Sequence, residues 1–132
     1  MQKNYFQKGF LATITVCSLL AGITQSAHAQ SRNVFGAISY SPSTQTYSSG
    51  IAKSKQAAIN AALNNCIRES EAQDCTVPLW FKNAWGALAI GSDGSYGTGW
   101  GTSQALAEKF AVSTCQRYGG DNCRVIFIRQ AR

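Results

Sequence analysis

The sequence carries one strand-turn-strand pattern twice, and this repeat constrains the fold more than any other feature. The first copy reads FGAISY over Phe35 to Tyr40, followed by a Ser-Pro turn and a strand-like run over residues 45–51. The second copy reads WGALAI over Trp85 to Ile90, followed by Asp93-Gly94 and a run over residues 96–101. Alternating apolar residues predict strands, and the turn residues between the runs predict two hairpins. Any fold of this chain must therefore contain two equivalent hairpins.

Each hairpin is followed by an alanine-rich segment with the composition of a helix. The first runs from Lys55 to Cys66 after the N-cap candidate Ser54, and the second runs to about Cys115 after Thr102 or Ser103. In each segment two alanines and a cysteine, four residues apart, form a ridge that marks the buried side. The ridges are Ala58, Ala62 and Cys66, then Ala107, Ala111 and Cys115, which we expect Leu106, Phe110 and Val112 to reinforce.

A polar link, a second cysteine and an apolar strand follow each helix. These strands are predicted over residues 76–82 and 124–129, and Pro78 favours a sheet edge or a strand start because proline cannot donate to a ladder. Each copy thus has the order β-β-α-β, over about residues 34–82 and 84–129. We predict a single α+β domain over residues 30–132, in which two pseudo-symmetric repeats form one mostly antiparallel sheet packed with two helices.

Residues 1–29 have the features of a secretory signal peptide. Lys3 and Lys8 precede an apolar run from Phe10 to Ala21 that is too short to span a bilayer, and Ala27-His28-Ala29 forms a cleavage site. Ile23 stands where a bacterial lipoprotein would need its lipidated cysteine. We therefore expect a periplasmic or secreted protein with no lipid anchor. Its net charge falls from +6 to +4 when the two lysines leave.

The cysteine count suits an oxidising compartment. Loss of Cys17 with the signal peptide leaves four cysteines, which allow three pairings. The repeat favours the local pairing, Cys66 with Cys75 and Cys115 with Cys123, because each copy then has its own bond. Cross-pairing stays open if the pseudo-twofold axis brings the helix ends together. Spacing and compartment suit neither zinc nor a redox-active C-x-x-C motif, so we predict structural disulfides.

Catalytic chemistry has little support in the sequence. His28 is the single histidine and leaves with the signal peptide, which removes histidine-assisted hydrolysis. Gly97, Gly99 and Gly101 lead from a strand into a helix, where amides can hold an anion, but we favour close backbone packing beneath Trp100. The acidic residues are few, and turns, links and solvated faces account for most of them: Glu69, Glu71, Asp74, Asp93, Glu108 and Asp121. We expect no catalytic residue, no metal and no cofactor.

These motifs together resemble a family of secreted bacterial domains of unknown function, numbered 4189. The resemblance rests on FGAISYSPST at residues 35–44, NAWGALAIG at 83–91, GTGWG at 97–101 and the helices that end in cysteine. It covers about residues 35–128 and implies a small exported protein with no established activity. Members often carry cysteine at the position of Trp85 and another near the C-terminus. The resemblance thus implies that a third disulfide is missing here, and we expect tryptophan packing to replace it.

The candidate binding residues are aromatic and basic. Trp100 and Tyr96, beside the glycine stretch, suit a binding face, whereas Trp85 should belong to the core. Lys53 and Lys55 flank the start of the first helix, where the helix dipole disfavours cations and an anionic ligand would relieve the misfit.

Our main hypothesis is an exported, non-enzymatic module that binds a protein partner, for example a toxin or wall hydrolase that it inhibits. One alternative is a binder of anionic cell-envelope polymer that uses Lys53, Lys55, Arg117 and Arg124, whose binding would weaken steeply with salt. A second is a small hydrolase with two carboxylates facing each other in a cleft. We expect neither a nucleic-acid partner nor a membrane span.

Overall fold

The computed structural model describes residues 32–132. The predicted signal peptide over residues 1–29, with Cys17 and His28, lies outside the described residues. The elements in chain order are β1 (Phe35–Ser41), β2 (Thr46–Ala52), α1 (Lys55–Ser70), β3 (Thr76–Lys82), β4 (Trp85–Ile90), β5 (Tyr96–Gly101), α2 (Gln104–Arg117) and β6 (Arg124–Gln130). The order β-β-α-β therefore occurs twice, and the predicted α+β class is confirmed.

The strands form two three-stranded sheets, and the expectation of a single sheet is corrected in this respect. The strand orders are β2-β1-β3 and β5-β4-β6, and all pairs are antiparallel. In each copy the first strand is central, because its hairpin partner takes one side and the strand after the helix takes the other. Both sides of each central strand are thus used within its own copy. Strand β3, which contains Pro78, is an edge strand.

The two sheets face each other, and each helix covers the outer side of its own sheet. Buried side chains between the sheets form one cluster: Ile38, Tyr40, Phe81, Ala84, Leu88 and Ala131. On the outer sides, Ala37 packs with the ridge of α1, and Ala87 and Ala89 pack with the ridge of α2. Successive side chains of a strand point to opposite faces, so each central strand contributes to both layers.

The aromatic ring of Phe81 packs against one glycine in each of the two sheets. A Cβ placed on Gly36 in β1 or on Gly86 in β4 would overlap this ring. Gly36 is the register partner of Phe81, and Gly86 belongs to the other sheet. The ring therefore fills the space that two glycines in different sheets leave empty.

The helices begin at predicted caps and run past the cysteines that were expected to end them. Ser54 Oγ accepts a hydrogen bond from the Ala57 amide at 3.2 Å, and Ser103 Oγ accepts one from the Leu106 amide at 3.3 Å. Helix α1 reaches Ser70 because neither glycine nor proline interrupts it. Gly119, at φ +84°, ends α2: its amide donates to the carbonyl of residue 116, and the next amide donates to that of residue 115.

The four cysteines form the two local disulfides that the repeat favours. Cys66 bonds Cys75, and Cys115 bonds Cys123, each with a Cα–Cα distance of 6.1 Å. Each bond ties the last turns of a helix to the beginning of the next strand, so the helix is held against its own sheet.

Trp85 is half-buried and packs against the cluster beneath α2. Its register partner in β6 is Gln130. With the Gln130 amide oriented to satisfy its neighbours, Trp85 Nε1 donates to its oxygen at 3.1 Å. A tryptophan contact thus joins β4 to the C-terminal strand. Family members often carry cysteines at the position of Trp85 and near the C-terminus, so the contact lies where the resemblance implied that a third disulfide is missing.

Candidate binding groove along strand β5

Strand β5 is an edge strand whose two faces differ. Its glycines face α2: a Cβ on Gly97 or Gly99 would overlap backbone atoms of that helix. The helix therefore lies directly on the strand, and close packing accounts for the glycine stretch. Tyr96, Thr98 and Trp100 alternate with the glycines and point toward the other sheet.

Three adjoining depressions follow β5 and together make one groove. Their volumes are ≈ 600, 440 and 500 Å³. We name this surface the β5 groove. Its floor is β5, one wall is formed by Leu106, Phe110 and Thr114 of α2, and the other by Pro78 and Trp80 of β3 together with Trp100.

Exposed aromatic side chains are concentrated around this groove. Trp100 is 55% exposed, Phe110 48% and Tyr118 73%, and Trp80 is exposed as well. Tyr118 lines the groove at the end where β5 begins. Large aromatic side chains left in contact with water at one place provide a surface suited to a partner.

The expectation that Leu106 and Phe110 reinforce the buried side of α2 was wrong. Both side chains are exposed, whereas Val112 is partly buried and packs, as predicted, against the cluster that contains the alanine ridge and Cys115. Counted from the N-caps, Ala57 and Ala61 occupy the same positions in α1. This difference between the copies was a signal in the sequence, because a position that alanine fills in one copy does not need a large side chain for the shared fold.

The four predicted binding residues are not all at the groove. Trp100 lines it, and so does Tyr96, which is half-buried with its ring centroid 4.8 Å from that of Tyr40. Lys55 lies beside it, with Nζ 4.1 Å from the centroid of the Trp80 ring, a cation–π contact. Lys53 is exposed and is absent from the linings of the three depressions.

The four basic residues of the polymer hypothesis do not form one patch. Lys53 and Lys55 follow Ala52, which pairs with the first residue of β1. Arg124 pairs with the last residue of β4, and Arg117 ends α2 near the same end. Because β4 starts directly after β3 at the Lys82 end, Arg124 is separated from Lys53 and Lys55 by the length of a strand, roughly 20 Å. Arg117, by contrast, lines the depression beside Trp100.

Two cations line the groove without a carboxylate beside them. Lys82 lines the depression between Trp100 and β3, and Arg117 lines the depression between Trp100 and α2. The linings of these two depressions contain no aspartate or glutamate. The groove is therefore positive where it is most aromatic.

Asp93 is the single carboxylate in four depressions on the surface of residues 32–132. It accepts hydrogen bonds from the Ser95 hydroxyl at 2.9 Å and the Ser95 amide at 3.2 Å, and these bonds lower its pKa. It therefore holds the β4–β5 turn. No second carboxylate faces it across the depression that it lines.

Asp74 lies away from the groove and also holds a turn. Hydrogen bonds from the Ser41 hydroxyl, the Ser43 amide and the Ser43 hydroxyl lower its pKa. They tie the link after α1 to the β1–β2 turn. The expectation of a merely solvated face at this link is thus corrected for Asp74.

Among the described residues, no group of three or more histidine, cysteine, aspartate or glutamate side chains could hold a metal ion. The same part of the chain contains no helix with the length and apolar character needed to cross a membrane.

Comparison with known proteins gives one match. No curated protein and no solved structure matches the chain. A family model described as "Domain of unknown function (DUF4189)" matches residues 35–128, which include both repeats, both disulfides and every strand and helix except the last residues of β6. The matched segment exceeds two thirds of the chain, so the chain belongs to this family.

Proposed function

We propose that this protein is an exported, non-enzymatic module that binds a protein partner through the β5 groove. The observation that carries the proposal is the concentration of exposed Trp80, Trp100, Phe110 and Tyr118 around one edge strand. Soluble proteins rarely expose a contiguous apolar surface without a use for it. Tryptophan and tyrosine also dominate the energetic centres of protein interfaces.

Export is supported by two independent features. Residues 1–29 have the pattern of a signal peptide, and two disulfides suit an oxidising compartment. The disulfides also hold both helices on their sheets, so the groove is largely preorganised and little conformational entropy is lost on binding.

The alternatives have weaker support. An anionic polymer would need one extended positive surface, whereas Arg124 lies about a strand length from Lys53 and Lys55. A carboxylate hydrolase would need a second acidic group facing Asp93, and the lining of that depression contains none.

The test is a pull-down with the oxidised protein from native envelope and secreted fractions, washed at low and high salt. We expect one protein to be retained through high salt, and to be lost by the double variant Trp100→Ala/Phe110→Ala. Ile67→Ala is the matched control, because Ile67 is 45% exposed on the other helix and does not line the groove.

Two results would contradict the proposal. Retention of many acidic proteins or of polymer, all lost at high salt, would favour the polymer binder. Retention of a protein equally by the wild type and the double variant would place the interface elsewhere.

A further inference from the structure

The outer hairpin strands of the two copies differ in whether a helix side chain covers their free edge. Strands β2 and β5 are both edge strands. In the first copy, Asn65 Nδ2 donates to the Ser49 carbonyl of β2 at 2.9 Å. That carbonyl therefore points out of the sheet edge, and a side chain of α1 covers it. Covering an edge in this way protects it from pairing with another chain.

The equivalent edge position in the second copy is uncovered. In the β4 ladder, Thr98 occupies the register position that Ser49 occupies in the β1 ladder. Counted from the N-caps, Thr114 occupies the place of Asn65. No hydrogen bond joins the Thr114 side chain to Thr98. In an antiparallel strand both backbone groups of such a residue point the same way, so the amide and carbonyl of Thr98 point outward from the strand edge into the groove.

The walls of the groove suit the side chains of an added strand. Alternate side chains of such a strand would contact Leu106 and Phe110 on one side and Pro78 and Trp100 on the other. In the first copy, the places of the two α2 residues are taken by alanines, and Ile51 takes the place of Trp100. A large apolar wall on the helix side is thus specific to the copy whose edge is open.

The charge of the residues around the open edge indicates the sign of the charge that a bound segment would carry. Lys82 and Arg117 line the two depressions that flank Trp100, and no carboxylate lines either one. Opposite charge in the partner would be complementary and would exclude basic segments.

We infer that the edge of β5 accepts an extended segment of a partner protein, with apolar residues at alternate positions and acidic residues among the others. Main-chain hydrogen bonds to β5 would hold the segment, and the groove walls would select its side chains. This inference rests on the proposed function, since it names the mode and the partner class of the same site.

The probe is a set of seven-residue peptides selected against the oxidised protein from a random library displayed on phage. We expect the selected peptides to alternate apolar residues and to include acidic ones. Each selected peptide is then synthesised in two versions. One carries backbone N-methyl groups on its odd-numbered residues, and the other carries them on its even-numbered residues. Only one set of amides faces β5. The peptide methylated on that set should lose affinity by tenfold or more, which corresponds to the loss of about one to two hydrogen bonds. The affinity of the other peptide should be unchanged.

The matched protein variants are Thr114→Asn and Ser113→Asn. The first copies the asparagine that covers the first-copy edge, so the helix should accept it, and peptide affinity should fall at least tenfold. Ser113 is exposed and lines none of the three depressions, so its variant should bind as the wild type does. In the wild type, the bound peptide should slow hydrogen exchange of the Thr98 amide.

The outcomes separate this inference from the proposed function. Equal affinity of the two N-methylated peptides, or full binding by Thr114→Asn, would overturn strand addition. If Trp100→Ala still abolished binding in that case, a protein-binding groove would stand. Selected peptides without alternating apolar residues, or with binding that does not depend on Trp100, would overturn the inference and count against the groove itself.

Discussion

Replacement of Phe81 by alanine should destabilise the domain by about 4 kcal/mol. The side chain is 2% exposed and lies between the two sheets. Phenylalanine to alanine in a core costs about 3–5 kcal/mol, and the loss increases with the cavity that remains. Two of the residues against the ring are Gly36 and Gly86, which have no side chains to move into the space. We therefore expect the upper half of that range.

A second substitution makes the test specific to the ring and its glycines. Gly36→Ala alone should destabilise by about 1–3 kcal/mol, because its Cβ would overlap the Phe81 ring. In the Phe81→Ala background the same methyl group enters the vacated space and should stabilise by up to about 0.8 kcal/mol. The effect of Gly36→Ala thus changes sign, with a coupling energy of about 2 kcal/mol or more.

The assay is urea denaturation of the four proteins of this cycle with disulfides intact, followed by tryptophan fluorescence. Arg129→Ala is the control, because Arg129 is exposed and pairs with Gly86 as Phe81 pairs with Gly36. It should change stability by no more than about 0.5 kcal/mol. An equal cost for Gly36→Ala in both backgrounds would refute the claim that the ring fills the space above the glycines.

Two further predictions concern the packing of α2 and the response to acid. Gly99→Ala should lower the free energy of unfolding, measured by urea denaturation, by about 3 kcal/mol, because its Cβ would overlap the Ala111 amide. A helix backbone cannot move aside as a side chain can. A loss well under 1 kcal/mol would contradict this packing. Hydrogen bonds from Ser41 and Ser43 lower the pKa of Asp74 below its ordinary value of 3.8, so its contribution to stability is present above that pH and is lost as the pH falls through the folded-state pKa. Stability measured against pH should therefore decline less steeply on the acid side in Asp74→Asn, and an unchanged acid slope would contradict the role of these bonds.

Local signals predicted the elements well. The caps Ser54 and Ser103 and the turn at Asp93-Gly94 each depend on residues within a few positions of one another, so the sequence alone contains the necessary information. Helix α1 extends further than predicted because its cysteine was taken as a boundary, although cysteine does not interrupt a helix. The helix continues to Ser70, and Glu71 in the left-handed conformation follows as its C-cap.

The candidate site was only partly predictable. Trp100 stood out because it lies in a glycine stretch, and it does line the groove. Phe110 was assigned to the buried side, since helical periodicity places a residue on a face without telling how wide the covered part of that face is. The opposite wall, with Trp80, lies in another strand of another sheet, and no spacing in the sequence connects it to β5.

The sequence by itself determined the repeated β-β-α-β order, the alternation of the strands and the alanine ridges, because these follow from neighbours along the chain. It favoured the local disulfides, and the structure decided between them and cross-pairing. Only the tertiary structure decided that each copy closes its own three-stranded sheet and that the two sheets face each other across Phe81. It also decided that the edge of β5, rather than that of β2, is left open between apolar walls. Those outcomes depend on contacts between residues far apart in sequence. A periodic pattern identifies the face of an element that is to be covered, whereas the element that covers it is selected by the packing of the whole chain.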